Sequence, residues 1–160
     1  MGSERRRLAV LGAPIAHSKS PGLHRAAYRR LGLEWEYSAI ELRGNDLAEF
    51  VGGLDASWRG LSLTMPLKQD VLPLLDDVDE LARLTGASNT VLFDGGTRRG
   101  FNTDVGGIVR ALAEAGCERI GHGVLIGGGA TAASALAAMA ELGAESVRVF
   151  LRRPEAGATI

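Results

Sequence analysis

Val124-Leu125-Ile126-Gly127-Gly128-Gly129-Ala130-Thr131-Ala132 is the stretch from which the fold class is read. Three apolar residues, two of them β-branched, make a short strand. Three glycines then give a turn, and the Ala-rich run over 130–142 reads as a helix. Residues 147–150 read as a second strand, so the segment is one βαβ unit. The spacing Gly127-x-Gly129-x-x-Ala132 fits a dinucleotide fingerprint. Glycines permit the tight turn and let a pyrophosphate approach the backbone. The helix N-terminus adds unpaired N–H groups and the positive end of its dipole. A tight turn without a ligand is the plainer reading, but strand–turn–helix–strand context favours the cofactor. The candidate contacts are Gly127, Gly128, Gly129, Ala130, Thr131 and Ala132.

The end of the second strand chooses between NAD and NADP. An acidic residue there would bind a ribose 2′-hydroxyl. This chain has Leu151-Arg152-Arg153-Pro154 instead. The guanidinium groups of Arg152 and Arg153 suit a 2′-phosphate, so NADP is favoured. Two solvated arginines on a loop are the competing account.

Upstream, short apolar runs alternate with helical patterns. Residues 8–11 read as a strand and end at Gly12-Ala13-Pro14. A helix follows from Pro21, with Ser20 as its N-cap and Leu23, Ala26, Ala27 and Leu31 on its apolar face. Residues 35–42 read as a strand. Asn45 is expected to cap a helix carrying Leu47, Phe50, Val51 and Leu54. Residues 61–63 make a third strand, 79–84 a helix, and 89–93 with 97–101 a hairpin around Asp94-Gly95-Gly96. A long helix over 104–115 presents Val105, Ile108, Val109 and Leu112 and ends at Gly116. This order predicts a mostly parallel sheet with crossover helices in an α/β protein.

Composition narrows the function. Of 160 residues, 46% are apolar, enough for a core, and 22 are glycine, which suits tight strand-to-helix turns. A net charge of -1 gives no reason to expect nucleic acid or an anionic membrane as partner. No apolar run reaches membrane-spanning length, and the start lacks the apolar stretch of a signal peptide. The single cysteine, Cys117, cannot form an internal disulfide and fits a reducing cytoplasm. His17, His24 and His122 lie too scattered for a metal site.

Among 18 basic residues only Lys19 and Lys68 are lysine. Arginine stays charged, whereas a lysine can give up its proton when its surroundings favour the neutral form. Lys68, in Thr64-Met65-Pro66-Leu67-Lys68, is the candidate proton carrier. Lys19 lies in Gly12-Ala13-Pro14-Ile15-Ala16-His17-Ser18-Lys19-Ser20-Pro21, a strand-to-helix loop in which Ser18 and Ser20 offer hydroxyls to a small carboxylate. A plain turn and cap would use the same residues. Gly86-Ala87-Ser88-Asn89-Thr90 and Gly100-Phe101-Asn102-Thr103-Asp104 bracket the hairpin. Asn102 or Thr103 is expected to cap the next helix. Asp104 opens that helix, and a carboxylate beside Lys68 would form a pair able to exchange a proton with a hydroxyl.

These segments, in this order, resemble shikimate dehydrogenase. The resemblance rests on residues 12–21, Thr64-x-Pro-x-Lys68, 86–90, 100–104 and the Gly127 turn, and it covers essentially the whole chain. It implies a two-domain α/β enzyme that oxidises shikimate reversibly to 3-dehydroshikimate with NADP, on the route to aromatic amino acids. Residues 1–104 would be the substrate-binding α/β domain. Residues 105–160 would be a linker helix and the first βαβ unit of an incomplete Rossmann-like NADP-binding domain. By similarity, Ser18 and Ser20 hold the carboxylate, while Thr64, Lys68, Asn89 and Asp104 bind the ring hydroxyls. Lys68 and Asp104 are the implied catalytic pair. Monomer and homodimer both stay open.

Two segments depart from the family pattern. Ser62-Leu63-Thr64 stands where Asn-Val-Thr is usual, and Leu151-Arg152-Arg153 where Asn-Arg-Thr is usual. The chain also ends at Ile160, after barely half of one βαβαβ half. About 100 further residues would complete such a domain. The expectation is therefore a fragment of a longer chain, with weak or absent turnover on its own. A quinate/shikimate dehydrogenase preferring NAD and a non-catalytic shikimate-binding module are the alternatives; a folate-linked dehydrogenase with a Lys base is weaker.

Overall fold

A computed structural model describes residues 5–152. The chain divides into two compact units, one running to Val78 and including Ser88–Phe101, the other made of Asp79–Ala87 and the residues from Asn102 onward.

The first unit contains β1 (Arg7–Gly12), α1 (Ser20–Leu31), β2 (Glu36–Glu41), α2 (Gly44–Gly52), β3 (Trp58–Leu63), α3 (Leu67–Asp70), a 3-10 turn (Leu72–Leu74), β4 (Asp77–Val78), β5 (Thr90–Asp94) and β6 (Thr97–Phe101). They form one sheet in the order β2-β1-β3-β5-β6-β4. β1 pairs in parallel with β2 and β3, and β4 with β6; β5 runs antiparallel to both neighbours. The sheet is thus mostly parallel, as expected. Gly95 and Gly96 turn the hairpin with φ of 58° and 87°, the left-handed region that a two-residue turn of this hand requires.

Alternation along β1 divides the core between the two faces. Ala9 and Leu11 pack with Leu47, Val51, Trp58, Leu61, Leu63 and Leu67. Val10 packs on the opposite face with Ile15, Tyr28 and Tyr37. In α2, Leu47, Phe50 and Val51 turn towards the core, as the periodicity predicts, and Leu54 packs there from two residues beyond the helix.

The inward face of α1 corrects the sequence expectation. Leu23 and Leu31 are 70% and 69% exposed, and Ala26 and Ala27 also face outward. Pro21 and Tyr28 are buried instead, and His24 stacks on Tyr37 at 4.0 Å between centroids. Tyr28 meets Trp35 edge-on at 5.5 Å. The spacing 21-24-28 satisfies the helical period as well as the Leu/Ala set does, and aromatic rings bury more area than alanines. Two cap assignments also change. Ser20 is the first helical residue, and Lys19 occupies the cap position without a side-chain bond. α2 begins at Gly44, one residue before Asn45, with Arg43 at the cap position.

The second unit contains α4 (Glu80–Thr85), α5 (Asp104–Glu114), β7 (His122–Ile126), α6 (Ala130–Glu141) and β8 (Ser146–Phe150). Asp79 caps α4, its carboxylate accepting the Ala82 N–H at 2.7 Å. β7 and β8 pair in parallel, so β7–α6–β8 is the predicted βαβ unit. α5 turns Val105 inward and ends at Glu114, two residues before Gly116, whose φ is 85°. On the strands, Val124, Ile126 and Phe150 are 61%, 84% and 52% exposed, as expected where a two-stranded sheet stands alone. Among the described residues, no helix is long and apolar enough to cross a membrane.

Candidate active site

In the first unit, strand direction gathers the sequence-predicted residues. β1 and β3 are parallel, so the loops that follow them leave the same end of the sheet. β5 is antiparallel to β3, so Asn89, which precedes it, returns to that end. Backbone hydrogen bonds tie these loops together. Thr64 N–H donates to the Leu11 carbonyl at 2.9 Å, and Ala13 N–H to the Met65 carbonyl at 3.0 Å. Leu63 N–H donates to the Asn89 carbonyl at 2.8 Å, and Ser88 N–H to the Lys68 carbonyl at 2.8 Å. Thr64, Lys68 and Asn89 thereby come together, and all three are half-buried. Ser88, 0% exposed, locks its loop by donating towards the carbonyls of Thr90 at 3.0 Å and Phe101 at 3.1 Å.

The loop after β1 is shaped by the same junction. A Cβ at Gly12 would overlap Thr64 Cγ2 and stand 3.0 Å from the Met65 carbonyl oxygen, so this approach needs glycine. Ser18 Oγ accepts the Ser20 N–H at 3.3 Å, which turns the chain into α1. Ser18 and Ser20 are both half-buried.

A cluster behind this end of the sheet escapes the sequence reading. The Tyr37 hydroxyl donates to Ser62 Oγ at 2.8 Å, and a nitrogen of His24 lies 2.9 Å from the Ser20 carbonyl. Burial pushes the Tyr37 hydroxyl above its ordinary pKa of 10.0, opposed by the bond to Ser62. Burial, reinforced by Tyr37, raises Tyr28. Ser62 thus has a protein partner at the position where the sequence departs from the family pattern. A cavity of about 490 Å³ lies at the other end of the sheet, against Arg6, Trp58, Arg59 and Phe93, and involves none of the site residues.

The second unit holds the rest. Asp104 is the first residue of α5, and its N–H donates to Asn102 Oδ1 at 3.0 Å. Asn102 supports the start of that helix as expected, but its amide has further buried partners that the sequence does not reveal. Gly127 has a φ of 122°, and its N–H donates to the Phe150 carbonyl at 3.0 Å. Gly129 precedes α6, whose first turn holds Ala130, Thr131 and Ala132. Ala132 is 9% exposed, as a small residue at the third fingerprint position should be. Gly128 is half-buried within the turn. Arg152 is exposed just beyond β8, and Arg153 lies outside the described residues.

The shikimate dehydrogenase substrate binding domain family matches residues 10–91. Shikimate dehydrogenase (NADP(+)) of Methanothermobacter thermautotrophicus is 39% identical over 147 residues, covering 91% of this chain and 52% of the relative. Shikimate dehydrogenase of Aquifex aeolicus superposes with a TM-score of 0.91 at 30% identity, over 99% of this chain and 60% of that one. Shikimate 5-dehydrogenase of Thermus thermophilus, solved with NADP(H) and shikimate, gives 0.86 at 37% identity, over 96% and 58%. The chain spans about half the length of the curated relatives it matches.

Proposed function

Because this chain belongs to the shikimate dehydrogenase substrate binding domain family, we propose that the protein catalyses the reversible NADP-dependent oxidation of shikimate to 3-dehydroshikimate, a step towards aromatic amino acids. The observation that supports this most is the gathering of the Ser18/Ser20 loop, Thr64, Lys68 and Asn89 at one end of one sheet. In this reading residues 1–104 bind the acid, and residues 105–160 begin the nucleotide domain of a cytoplasmic enzyme.

Ser18 and Ser20 donate their hydroxyls to the substrate carboxylate, next to the N-terminus of α1. Thr64, Lys68, Asn89 and Asp104 bind the ring hydroxyls and fix which carbon reacts. Oxidising a secondary alcohol removes a hydride from carbon and a proton from oxygen. Lys68 takes the proton, alternating between its two protonation states, and Asp104 is the second proton-handling group of the proposed pair. In the reverse direction Lys68 returns the proton to the forming hydroxyl.

The glycine turn fits a dinucleotide. A Cβ on Gly127 or Gly129 would meet nothing within 4 Å, so the space before α6 is open to a pyrophosphate. Gly127, Gly128, Gly129, Ala130, Thr131 and Ala132 would hold it, with Arg152 and Arg153 on the 2′-phosphate. When bound, NADP supplies the hydride acceptor. Specificity constants for shikimate and quinate with NADP and NAD test the assignment. The highest value is expected for shikimate with NADP; quinate with NAD in that place would favour the alternative dehydrogenase.

A further inference from the structure

Asn102 is 3% exposed, and its side chain is the polar centre of the second unit. The two hydrogens of Nδ2 are shared among Thr85 Oγ1 at 2.7 Å, Ser134 Oγ at 3.0 Å and the Ala87 carbonyl at 3.1 Å. Oδ1 accepts the Asp104 N–H at 3.0 Å. The Asn102 N–H donates to Asp79 Oδ1 at 3.3 Å, the carboxylate that caps α4. Ser134 is 0% exposed on α6 and donates its own hydrogen to the Ala130 carbonyl at 3.2 Å, which leaves a lone pair for Asn102. Ala130 is the first residue of α6, where the glycine turn becomes helix. One amide therefore joins the end of α4, the first N–H of α5 and, through Ser134, the first turn of α6.

Starting α5 requires only the Oδ1 bond, which Asp or Ser would also supply. The Nδ2 bonds need a donor, and asparagine combines acceptor and donors in one short side chain. Their partners come from α4, the loop after it and α6, so they do nothing for α5 as an isolated helix. Buried and mutually bonded, such groups fix one arrangement and resist small shifts.

We propose that Asn102 is a positioning residue that holds Asp104 in register with the nucleotide turn of α6. The inference rests on the proposed roles of Asp104 and of residues 127–132. It extends them by linking the proton-handling carboxylate to the cofactor site through Asn102 and Ser134. Neither residue needs to touch substrate or cofactor for this.

The test uses the protein made from its intact gene. Ser134→Ala removes the acceptor on α6 and leaves the bond to Asp104. Asn102→Asp also keeps that bond but removes the donors. Ala138→Gly, on the buried face of α6 and away from the network, serves as a control that destabilises the helix by propensity alone. Melting temperatures, the calorimetric NADP dissociation constant without substrate, and steady-state constants are measured for each. Ser134→Ala is expected to lower kcat and weaken NADP binding by roughly tenfold each, the scale of one lost buried hydrogen bond, with the shikimate KM unchanged. Ala138→Gly is expected to lower the melting temperature by a similar amount and leave those constants within about twofold. Equal constants in Ser134→Ala and Ala138→Gly would overturn the inference. Asn102→Asp is expected to exceed Ser134→Ala in both effects; wild-type constants in a folded Asn102→Asp protein would also overturn it. Full activity in Asp104→Asn would instead overturn the underlying role of Asp104, and the NADP dissociation constants alone would then decide whether Asn102 holds the turn.

Discussion

Tyr37 reaches across the sheet to Ser62. Its hydroxyl donates a 2.8 Å hydrogen bond to Ser62 Oγ and ties β2 to β3 over the intervening β1. The ring is 2% exposed and lies under the imidazole of His24. Removing the hydroxyl in Tyr37→Phe should cost about 1 kcal/mol at neutral pH, because Ser62 loses its donor.

The same burial gives an alkaline signature. Tyr28 and Tyr37 are both held protonated above their ordinary value of 10.0, mainly by burial. The unfolded chain ionises them near the ordinary value, so the stability this difference contributes is complete below it. That contribution is lost as the pH rises from there through the raised native values. Urea unfolding should therefore show a fall in stability above about pH 10, less steep in Tyr37→Phe. Identical slopes in the two proteins would contradict the assignment.

Gly12→Ala tests the junction between β1 and the loop after β3. The new methyl would overlap Thr64 Cγ2 and crowd the Met65 carbonyl. Overpacking at such a site costs about 1–3 kcal/mol. Thr64 must move to make room, so the shikimate KM should rise more than tenfold in kinetic assays, an order-of-magnitude expectation for displaced hydrogen bonds.

Lys68→Ala should lower kcat by roughly 10²–10⁴-fold and raise KM much less, because proton transfer belongs to the transition state. Lys68→Arg should not restore the rate, since a guanidinium does not release its proton. Steady-state kinetics of the two variants decide the point, and an active arginine variant would remove Lys68 from the proton-transfer role.

Arg152→Ala should raise the NADP KM by about 10–100-fold, the scale of a lost charge-assisted hydrogen bond, and leave NAD nearly unaffected. Equal effects on both cofactors would place the guanidinium away from the 2′-phosphate.

The βαβ unit was legible because its signals are local: an apolar run, three glycines and an Ala-rich helix adjoin one another. The hairpin was legible through Asp94-Gly95-Gly96, where two left-handed residues are needed. The α1 face was not, because the Leu/Ala set and the Pro21/His24/Tyr28 set share one period. Only the neighbours Trp35 and Tyr37, supplied by tertiary structure, choose between them. α3 and β4, of four and two residues, are too short to show periodicity. The loops of the site were legible as glycine-, serine- and threonine-rich segments, and the sheet brings three of their key residues to one end. Asn102 revealed only its capping bond, two residues away. The other partners of its side chain lie 15, 17 and 32 residues distant, and no local pattern encodes them. Ser134 left one clue, a hydroxyl on the inner face of an otherwise Ala-rich helix.

The most direct test adds shikimate and NADP to the purified protein from the intact gene and follows NADPH absorbance, with the Lys68→Ala protein in parallel. NADPH should form in proportion to enzyme and depend on both shikimate and Lys68. No absorbance change from folded protein that binds both ligands would contradict the assignment as a shikimate dehydrogenase.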